Sequence, residues 1–432
     1  MARGALLVVA AMAVTVLRQP AYVLEPGFFG EEGMAYFFRA WHEPWYRVLF
    51  IAPAGYFLFF TNVAALAAAR LVPLEAAPAV TTLFAFAAQM APVAIVAFGA
   101  APEWRRPARQ AVAIAILLFA SLSDEIWLNT INSQCWFAVL AALILLEPAD
   151  LGRARLRTYA CLLALAGLSG PVAAGLAPLF ALKAWLARSR AARVLAAIAC
   201  ACLLVQIATV AATHGGRYVG RRGSGASVAT LAAIVWMRTI VLPTAGADAA
   251  TGFARAFVAW TGDDVAGPRA VAAGIALLAA AVAALAWLAR PLDARQRIAL
   301  AGGYATMTAI VALLASGPQR SFLGHAGYSS RYFYAPGTML LFLLLANADL
   351  SRGRRPSARN VACAVLVAIG IATGAARFRE STRWRPDWPR WRDEVALWRA
   401  DPARSLRTWP PGWRIFYLVP RTPPSAGSGK AR

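Results

Sequence analysis

The chain has 432 residues, of which 60% are hydrophobic and only 15% charged, a balance that excludes an ordinary soluble domain. A formal charge of +23 would indicate nucleic acid binding in a soluble protein. Here much of the excess lies in short loops between apolar runs, where it reports membrane orientation instead. Apolar runs of about 20 residues, enough to cross a bilayer as a helix, recur along most of the sequence. It therefore predicts an all-α, polytopic membrane protein that binds no nucleic acid.

The chain begins with MARGALLVVAAMAVTVLRQP, a basic start followed by a short apolar core. Such a segment is compatible with a signal peptide. No convincing small-residue cleavage site separates it from the acidic stretch that follows, so we predict a first transmembrane helix.

The first outer loop, 18–76, carries two adjacent glutamates, Glu31 and Glu32, in FFGEEGMAYFF. Two carboxylates beside a low-dielectric surface repel each other, so the pKa of one should rise. A carboxyl group with a raised pKa is a better general base near neutral pH. The alternative is a solvated turn whose acids favour the start of a helix. The residues alone do not separate the two interpretations.

Later in this loop, the stretch 46–73 is apolar but contains Pro53, Gly55 and Asn62. We predict in-plane or re-entrant helices on the outer face, where irregular backbone can pack on protein. A pair of tight crossings is the alternative with the same parity.

The segment SDEIWLNTINSQCW places several acids and amides directly beside apolar helices. A charged residue deep in a membrane costs roughly 2.5–3.5 kcal/mol and usually lines a site. The side chains could bind a polyhydroxylated ligand, and the alternative is helix capping with amides bonded to nearby backbone. The predicted substrate-binding residues are Asp124, Glu125, Asn129, Asn132 and Gln134, together with Tyr36 from the first loop.

Arginine clusters in five connections, at 103–109, 152–157, 188–193, 290–297 and 351–359. The positive-inside rule places all five in the cytoplasm. About eleven spans then follow, with the N-terminus inside and the C-terminus outside. The polar stretches all fall on the outer side, which predicts one outward-facing site.

The long outer loop, 214–268, opens with HGGRYVGRRGSG. It lacks the Gly-Lys-Ser/Thr ending of a phosphate-binding loop. Arg217, Arg221 and Arg222 could form a lid over an anionic ligand, and a solvated linker is the alternative. The residues 228–243 that follow predict a re-entrant helix.

The stretch GPQRSFLGHAGYSSRYFYAP precedes a late apolar run. An arginine surrounded by tyrosines at the outer end of a helix suits a lipid phosphate. An interfacial anchor is the alternative, since both residue types are common there. Predicted phosphate-binding residues here are Arg331, Tyr332, Arg320 and His325.

The C-terminal segment, 377–432, alternates tryptophan with arginine after the transmembrane domain, 1–376. Aromatic and basic alternation can indicate nucleic acid, but the topology places this segment outside, where an anionic bilayer surface is the better partner. The cysteines and three histidines have no metal-ligand spacing.

Taken together, the order of EEGMAYF, GY, E-x-W-x-N-x-x-N-x-Q, LSGP and RYFY-x-P resembles the GT-C superfamily of membrane glycosyltransferases, in its uncharacterised bacterial branch. The resemblance implies a polyprenyl-phosphate sugar donor, and a glycan, lipid or protein acceptor. It places the active site at the outer face of the bacterial cytoplasmic membrane, among membrane lipids. Glu31 or Glu32 takes the role of catalytic base in an inverting transfer. A divalent cation, Mg or Mn, is compatible with the family, and we expect a monomer.

The alternative function is a transporter or flippase for an anionic lipid-linked substrate. It would use the same arginines but would need polar residues at mid-membrane depth, where mainly Gln89 and Gln206 are seen. A non-catalytic assembly subunit is the third possibility, and it would tolerate loss of both glutamates.

Overall fold

A computed structural model describes residues 2–120, 123–214, 227–262, 267–316, 323, 330–348, 356–380 and 388–419. This part of the chain is helical except for loops, one isolated bridge and one short antiparallel ribbon, β1 (Leu406–Arg407) and β2 (Arg414–Ile415). The all-α prediction is therefore confirmed for the described residues.

The α-helices follow one another with short connections. In chain order they are α1 (Ala2–Arg18), α2 (Ala21–Leu24), α3 (Phe38–His42), α4 (Trp45–Val48), α5 (Phe59–Arg70), α6 (Ala77–Phe98), α7 (Pro107–Phe119), α8 (Ser133–Leu146), α9 (Arg153–Leu168), α10 (Pro171–Ala174), α11 (Ala177–Ala187), α12 (Arg190–His214), α13 (Val228–Val235), α14 (Leu242–Thr261), α15 (Pro268–Ala289), α16 (Ala294–Gln296), α17 (Gly303–Ile310), α18 (Tyr334–Asn347), α19 (Ala358–Ala376) and α20 (Trp391–Ala400).

Turns of other helical types extend or link these helices. The π-helical turns are Glu32–Phe37, Trp236–Val241, Arg297–Gly302 and Val311–Ser316, and the 3₁₀ turns are Leu74–Ala76, Pro102–Trp104, Asp124–Ile126 and Ser330–Phe333. Two of the 3₁₀ turns precede α8 and α18, and both carry residues of the predicted site.

In the described part of the chain, five helices are long and apolar enough to cross a membrane: Leu74–Phe98, Arg190–Thr213, Val228–Thr261, Pro268–Ala289 and Ala358–Ala376. Shorter apolar helices are Pro107–Phe119, Ser133–Leu146 and Pro171–Ala187. This composition is compatible with a multi-pass membrane protein.

Two helices form the centre of the bundle. Nearly every residue of α8 and α18 is buried, and their leucines, valines and aromatic residues belong to one large core. A helix that is apolar on all sides belongs in a protein core or in a membrane, and these two are covered by other helices of the bundle. Both central helices begin at the same end of the bundle, so the polar turns before them are held in fixed positions.

The arginine-rich connections meet at the opposite end, which we call the arginine-loop end. There the Glu147 carboxylate accepts hydrogen bonds from the amides of Ala100 and Ala101 at 2.8 and 3.2 Å. Arg295 forms a two-bond ion pair with Glu103, at 2.6 and 3.0 Å. Hydrogen bonds also join the other connections at this end. Ser189 Oγ donates to the Ala149 carbonyl, Asn347 Nδ2 to the Leu288 carbonyl and Asn360 Nδ2 to the Asn347 carbonyl.

The described parts of the predicted polar stretches, at 25–37, 123–136, 168–171 and 330–336, lie at the other end, which we call the motif end. Arg18 Nη1 donates to Ser123 Oγ at 2.6 Å, and the guanidinium group lies 4.2 Å from the Trp127 ring centroid. Gln134 Nε2 donates to the Tyr56 hydroxyl at 3.0 Å. The two ends of the bundle therefore differ in composition as the sequence predicts.

The stretch 46–73 stays at the motif end. The helix α5 has 12 residues, about 18 Å at 1.5 Å per residue, which is short of the roughly 30 Å hydrocarbon core. Its start is fixed at this end because the Phe60 amide donates to Ser169 Oγ and Thr61 Oγ1 donates to the Thr130 carbonyl. Asn62 Nδ2 donates to the Leu49 and Ile51 carbonyls. This geometry favours in-plane or re-entrant helices over tight crossings.

The candidate span Val228–Thr261 is not one straight helix. Gly246 breaks it with φ +86°, a conformation that favours glycine. A Cβ at this position would lie 3.0 Å from Thr373. The break is compatible with the re-entrant segment predicted at 228–243.

The C-terminal segment packs against the first loop, which its sequence did not predict. Three of its tryptophans, Trp391, Trp398 and Trp409, are buried in the protein. Trp391 Nε1 donates to the Leu74 carbonyl at 2.8 Å, and the Trp409 amide donates to the Phe28 carbonyl at 3.0 Å. The sequence pattern did not reveal this because aromatic residues beside arginines fit a protein surface and a membrane surface equally well.

Candidate active site at the motif end

The two adjacent glutamates have different environments. Glu32 is 2% exposed, and its Oε1 accepts hydrogen bonds from both the amide and the hydroxyl of Thr130. Its Oε2 accepts from the Phe29 amide at 3.3 Å. Glu32 therefore fastens the first loop to the segment before α8, and in this arrangement its carboxylate is occupied by the protein itself.

Glu31 is exposed at the start of the π-helical turn. Its carboxylate lies within electrostatic range of Tyr36 and Arg331. Gly30, just before it, has φ +48°, a conformation that favours glycine. The two carboxylates differ in exposure: Glu32 is buried and bonded to the protein, whereas Glu31 is exposed.

The two asparagines of the segment before α8 support its backbone. Asn129 Nδ2 and Asn132 Nδ2 each donate to the Glu125 carbonyl at 2.8 Å, and the Asn132 amide donates to Asn129 Oδ1 at 3.0 Å. Asp124 accepts from the Tyr22 hydroxyl at 3.2 Å. All three side chains are buried. Asn129 and Asn132 therefore fit the alternative interpretation, in which the side-chain amides are bonded to nearby backbone and position the loop.

Gln134 is half-buried and reaches the site. Its Nε2 donates to the Tyr56 hydroxyl. Burial raises the pKa of Tyr56 to about 12, so this hydroxyl keeps its proton at physiological pH. Burial, then the nearby Tyr56 and Glu31, raise the pKa of Tyr36 well above its ordinary value.

Tyr56 was missed as a site residue by the sequence argument. Its signal was present in the GY dipeptide, since an aromatic hydroxyl beside a glycine turn in an outer loop has few structural reasons to be there. Its partner Gln134 lies 78 positions later in the chain, and no spacing rule connects the two.

Arg331 is held from three directions. Its Nη1 lies 3.4 Å from Glu125 Oε1, its amide donates to Glu125 Oε2 at 3.1 Å and its Nη2 donates to the Tyr332 hydroxyl at 3.3 Å. The Arg331 and Glu125 side chains are 28% and 20% exposed. A guanidinium group that is anchored yet partly open can accept an anionic ligand without first being ordered.

A second arginine, Arg238, lies deeper beside this site and was also missed. It is fully buried, lies 5.6 Å from the Phe333 ring centroid and is within electrostatic range of Glu125. Its position in the apolar run AAIVWMRTIVLP was the available signal, because charge within such a run usually marks a site.

The other predicted anion-binding residues, Arg217, Arg221, Arg222, Arg320 and His325, lie outside the described residues. Within the described part of the chain, no three histidine, cysteine or acidic side chains are grouped so that they could hold a metal ion. The divalent cation therefore stays a prediction without a ligand set.

Comparison of the chain with protein-family models, with curated proteins and with solved structures gave no match. The site is therefore interpreted from its own chemistry: one exposed carboxylate, one anchored and partly exposed arginine, and two protonated tyrosines.

Proposed function

We propose that the protein is an inverting membrane glycosyltransferase that moves a sugar from a polyprenyl-phosphate donor to an acceptor hydroxyl. The observation that supports this most is the position of Glu31. It is an exposed carboxylate in electrostatic range of the anchored Arg331, while the carboxylates of Glu32 and Glu125 are engaged by the protein. A base beside a phosphate-binding cation is the minimum that this chemistry requires.

In the proposed reaction, the Glu31 carboxylate takes the proton of the acceptor hydroxyl. The hydroxyl oxygen forms a bond to the anomeric carbon of the donor sugar, and the bond from that carbon to the phosphate oxygen breaks. The electron pair leaves with the polyprenyl phosphate, whose charge Arg331 stabilises. Tyr56 and Gln134, already bonded to each other, position the sugar by hydrogen bonds.

Glu32 and Glu125 are proposed as positioning residues. Glu32 holds the backbone beside Glu31 through Thr130, and Glu125 holds Arg331 through its backbone amide and its guanidinium group. Because base and cation belong to distant parts of the chain, both anchors are needed to keep them facing each other.

We place the protein in the bacterial cytoplasmic membrane with about eleven spans, the arginine-loop end in the cytoplasm and the site outside. The composition of the two ends supports this orientation. A lipid-linked donor also fits the location of the site, since such a substrate arrives from within the bilayer.

A flippase is the weaker candidate. It would need free polar groups along a path at mid-membrane depth. Gln206 is used structurally there, because its side chain is bonded to both backbone groups of Phe57 and to the Gly167 carbonyl. Gln89 likewise donates to Thr15 on a neighbouring helix.

The test compares Glu31→Gln with Glu32→Gln and with Glu43→Gln, a matched control in the same loop. Mass spectrometry of lipids that co-purify with Glu31→Gln should identify a polyprenyl-phosphate sugar, which is then supplied to each variant to measure release of polyprenyl phosphate. We expect Glu31→Gln to bind the donor without releasing the phosphate. Full turnover by Glu31→Gln, or only bulk phospholipid on every variant, would contradict the proposal.

A further inference from the structure

We propose that an open groove in the C-terminal segment binds an anionic glycan, a sugar chain bearing carboxylate or phosphate groups, and that this glycan is the acceptor. The acceptor role rests on the proposed function, whereas the binding does not. The groove has a volume of about 490 Å³, within the range of small-molecule sites. It is lined by Asp401, Ala403, Arg404, Ser405, Arg407 and Arg414.

The arginines of the groove are concentrated by the fold. The register of the β1–β2 ribbon pairs Arg407 directly with Arg414, and like charges opposite each other destabilise a ribbon. No carboxylate among the described residues forms an ion pair with Arg414. Asp401, the acid in the groove lining, is used locally, since its Oδ1 accepts from the Ala403 amide at 3.1 Å. An anionic ligand would relieve this repulsion.

A buried carboxylate positions the centre of the groove. Glu394 is 1% exposed and accepts hydrogen bonds from Arg407 Nη2 and Nε at 2.6 and 2.9 Å, and from the Arg407 amide at 3.0 Å. Arg404 Nη2 lies 4.0 Å from the same carboxylate. Arg407 remains 46% exposed. Its guanidinium group is thus held in place with part of its surface open, as recognition of carboxylate or phosphate requires.

The groove adjoins the proposed catalytic base through the ribbon. Trp413, half-buried, packs against Gly30, where a Cβ would lie 3.7–3.8 Å from three atoms of the indole ring. Ile415 packs in the same way against Gly33. Arg414 lies between these two residues in the chain, so its side chain faces the opposite side of the ribbon. The ribbon that carries the groove is therefore fastened to the loop that carries Glu31.

The shape of the lining favours a sugar chain over a lipid surface. The groove is concave and polar, and its lining includes a serine and three arginines. The exposed aromatic residues Phe416 and Tyr417, which could contact lipid, lie outside the groove lining. A lipid headgroup is the competing source of anionic charge, and the experiment distinguishes the two.

The experiment uses full-length protein in phosphatidylcholine nanodiscs and titrates three probes: a hexamer of galacturonate, neutral maltohexaose and inorganic pyrophosphate. Arg414→Gln is compared with wild type and with Arg392→Gln, an exposed arginine on α20 outside the groove. We expect the galacturonate hexamer to bind wild type and Arg392→Gln alike, and Arg414→Gln about tenfold more weakly, as for loss of a charge-assisted hydrogen bond. The affinity should fall as NaCl is raised.

Several results would overturn the proposal. They are equal binding of maltohexaose and the galacturonate hexamer, unchanged binding by Arg414→Gln, no binding of the hexamer, or pyrophosphate binding as tightly as the hexamer. In vesicles containing phosphatidylglycerol, reduced association of Arg414→Gln alone would identify a headgroup site instead. If Glu31→Gln retains turnover while Arg414→Gln no longer binds the galacturonate hexamer, the proposed function is contradicted, but glycan binding by the groove is still supported.

Discussion

The two ends of the helix bundle use their acids in opposite ways. At the arginine-loop end, Glu103 and Glu147 are buried, and each carboxylate is engaged by several donors within the protein. At the motif end, Glu32 is engaged in the same way, but Glu31 is exposed beside an arginine that is itself partly open. A fully satisfied carboxylate contributes to stability, and an accessible one beside a cation is available for chemistry.

This comparison also explains why the number of acids near a membrane is a poor guide to function. Most of the buried acids of this chain fasten loops between helices. What distinguishes the candidate base is its exposure together with its electrostatic neighbours, Tyr36 and Arg331. Substitutions at each end test whether the buried acids stabilise the fold and the exposed one acts in the reaction.

The largest effect is expected at Glu31. Glu31→Gln should lower turnover by roughly 10²–10⁴-fold, the usual contribution of a general base, and leave thermal stability within experimental error because the side chain is exposed. Turnover is measured as polyprenyl phosphate released, and stability as the melting temperature in detergent. Glu32→Gln should lower the melting temperature and, because Glu32 positions the loop beside Glu31, lower turnover by a smaller factor than Glu31→Gln. If Glu31→Gln and Glu32→Gln lost turnover and stability to the same extent, the two glutamates could not be assigned different roles.

The next effect is at the arginine-loop end. Glu103→Ala removes the partner of Arg295 and should destabilise the protein by about 3–5 kcal/mol, as for a broken buried ion pair. The specific activity of the molecules that remain folded should not change, because the site is at the other end. Chemical denaturation in detergent measures the first effect, with Asp150→Ala, an exposed acid at the same end, as the control. A selective loss of activity in folded Glu103→Ala would mean that this end also takes part in function.

Much of this two-ended arrangement could be predicted from the sequence. Arginine content identified the loops that meet at one end, and the interruptions at Pro53 and Gly55 indicated helices that do not cross. Periodicity could not predict that Asn132 caps a backbone turn while Gln134, two residues later, faces the site. That difference depends on the Glu125 carbonyl and the Tyr56 hydroxyl, and both contacts are set by packing of distant segments.

This local difference gives the third prediction. Asn132→Ala should reduce stability by about 1–3 kcal/mol because it removes a bond to a buried carbonyl, whereas Gln134→Ala should leave stability nearly unchanged and weaken donor binding. The melting temperature and the KM for the donor separate the two variants. If Gln134→Ala were the destabilised one, the site boundary drawn between these residues would be wrong.

The smallest effect is expected in the C-terminal segment at acidic pH. Burial alone would raise the pKa of Glu394, but the hydrogen bonds from Arg407 outweigh it, so the pKa lies below its ordinary value of 4.5. A carboxyl group with a lowered folded-state pKa stabilises the fold above its unfolded pKa, and this contribution is lost as pH falls through the folded value. The ribbon should therefore loosen as the pH falls below 4.5. Tryptophan fluorescence measures this, because Trp391, Trp398 and Trp409 are buried where the segment packs.

Glu394→Gln provides the matched comparison for that titration. The amide keeps the shape of the side chain but cannot form an ion pair with the Arg407 guanidinium group. The acid-induced change in fluorescence should therefore largely disappear. At every pH, the fluorescence of the variant should resemble that of the acidified wild type. Exposed acids of the same helix, such as Asp393, should not alter the titration when changed to asparagine. A wild-type change centred at or above pH 4.5 would show that another group controls this segment, and the positioned arginine of the glycan groove would then lose its structural basis.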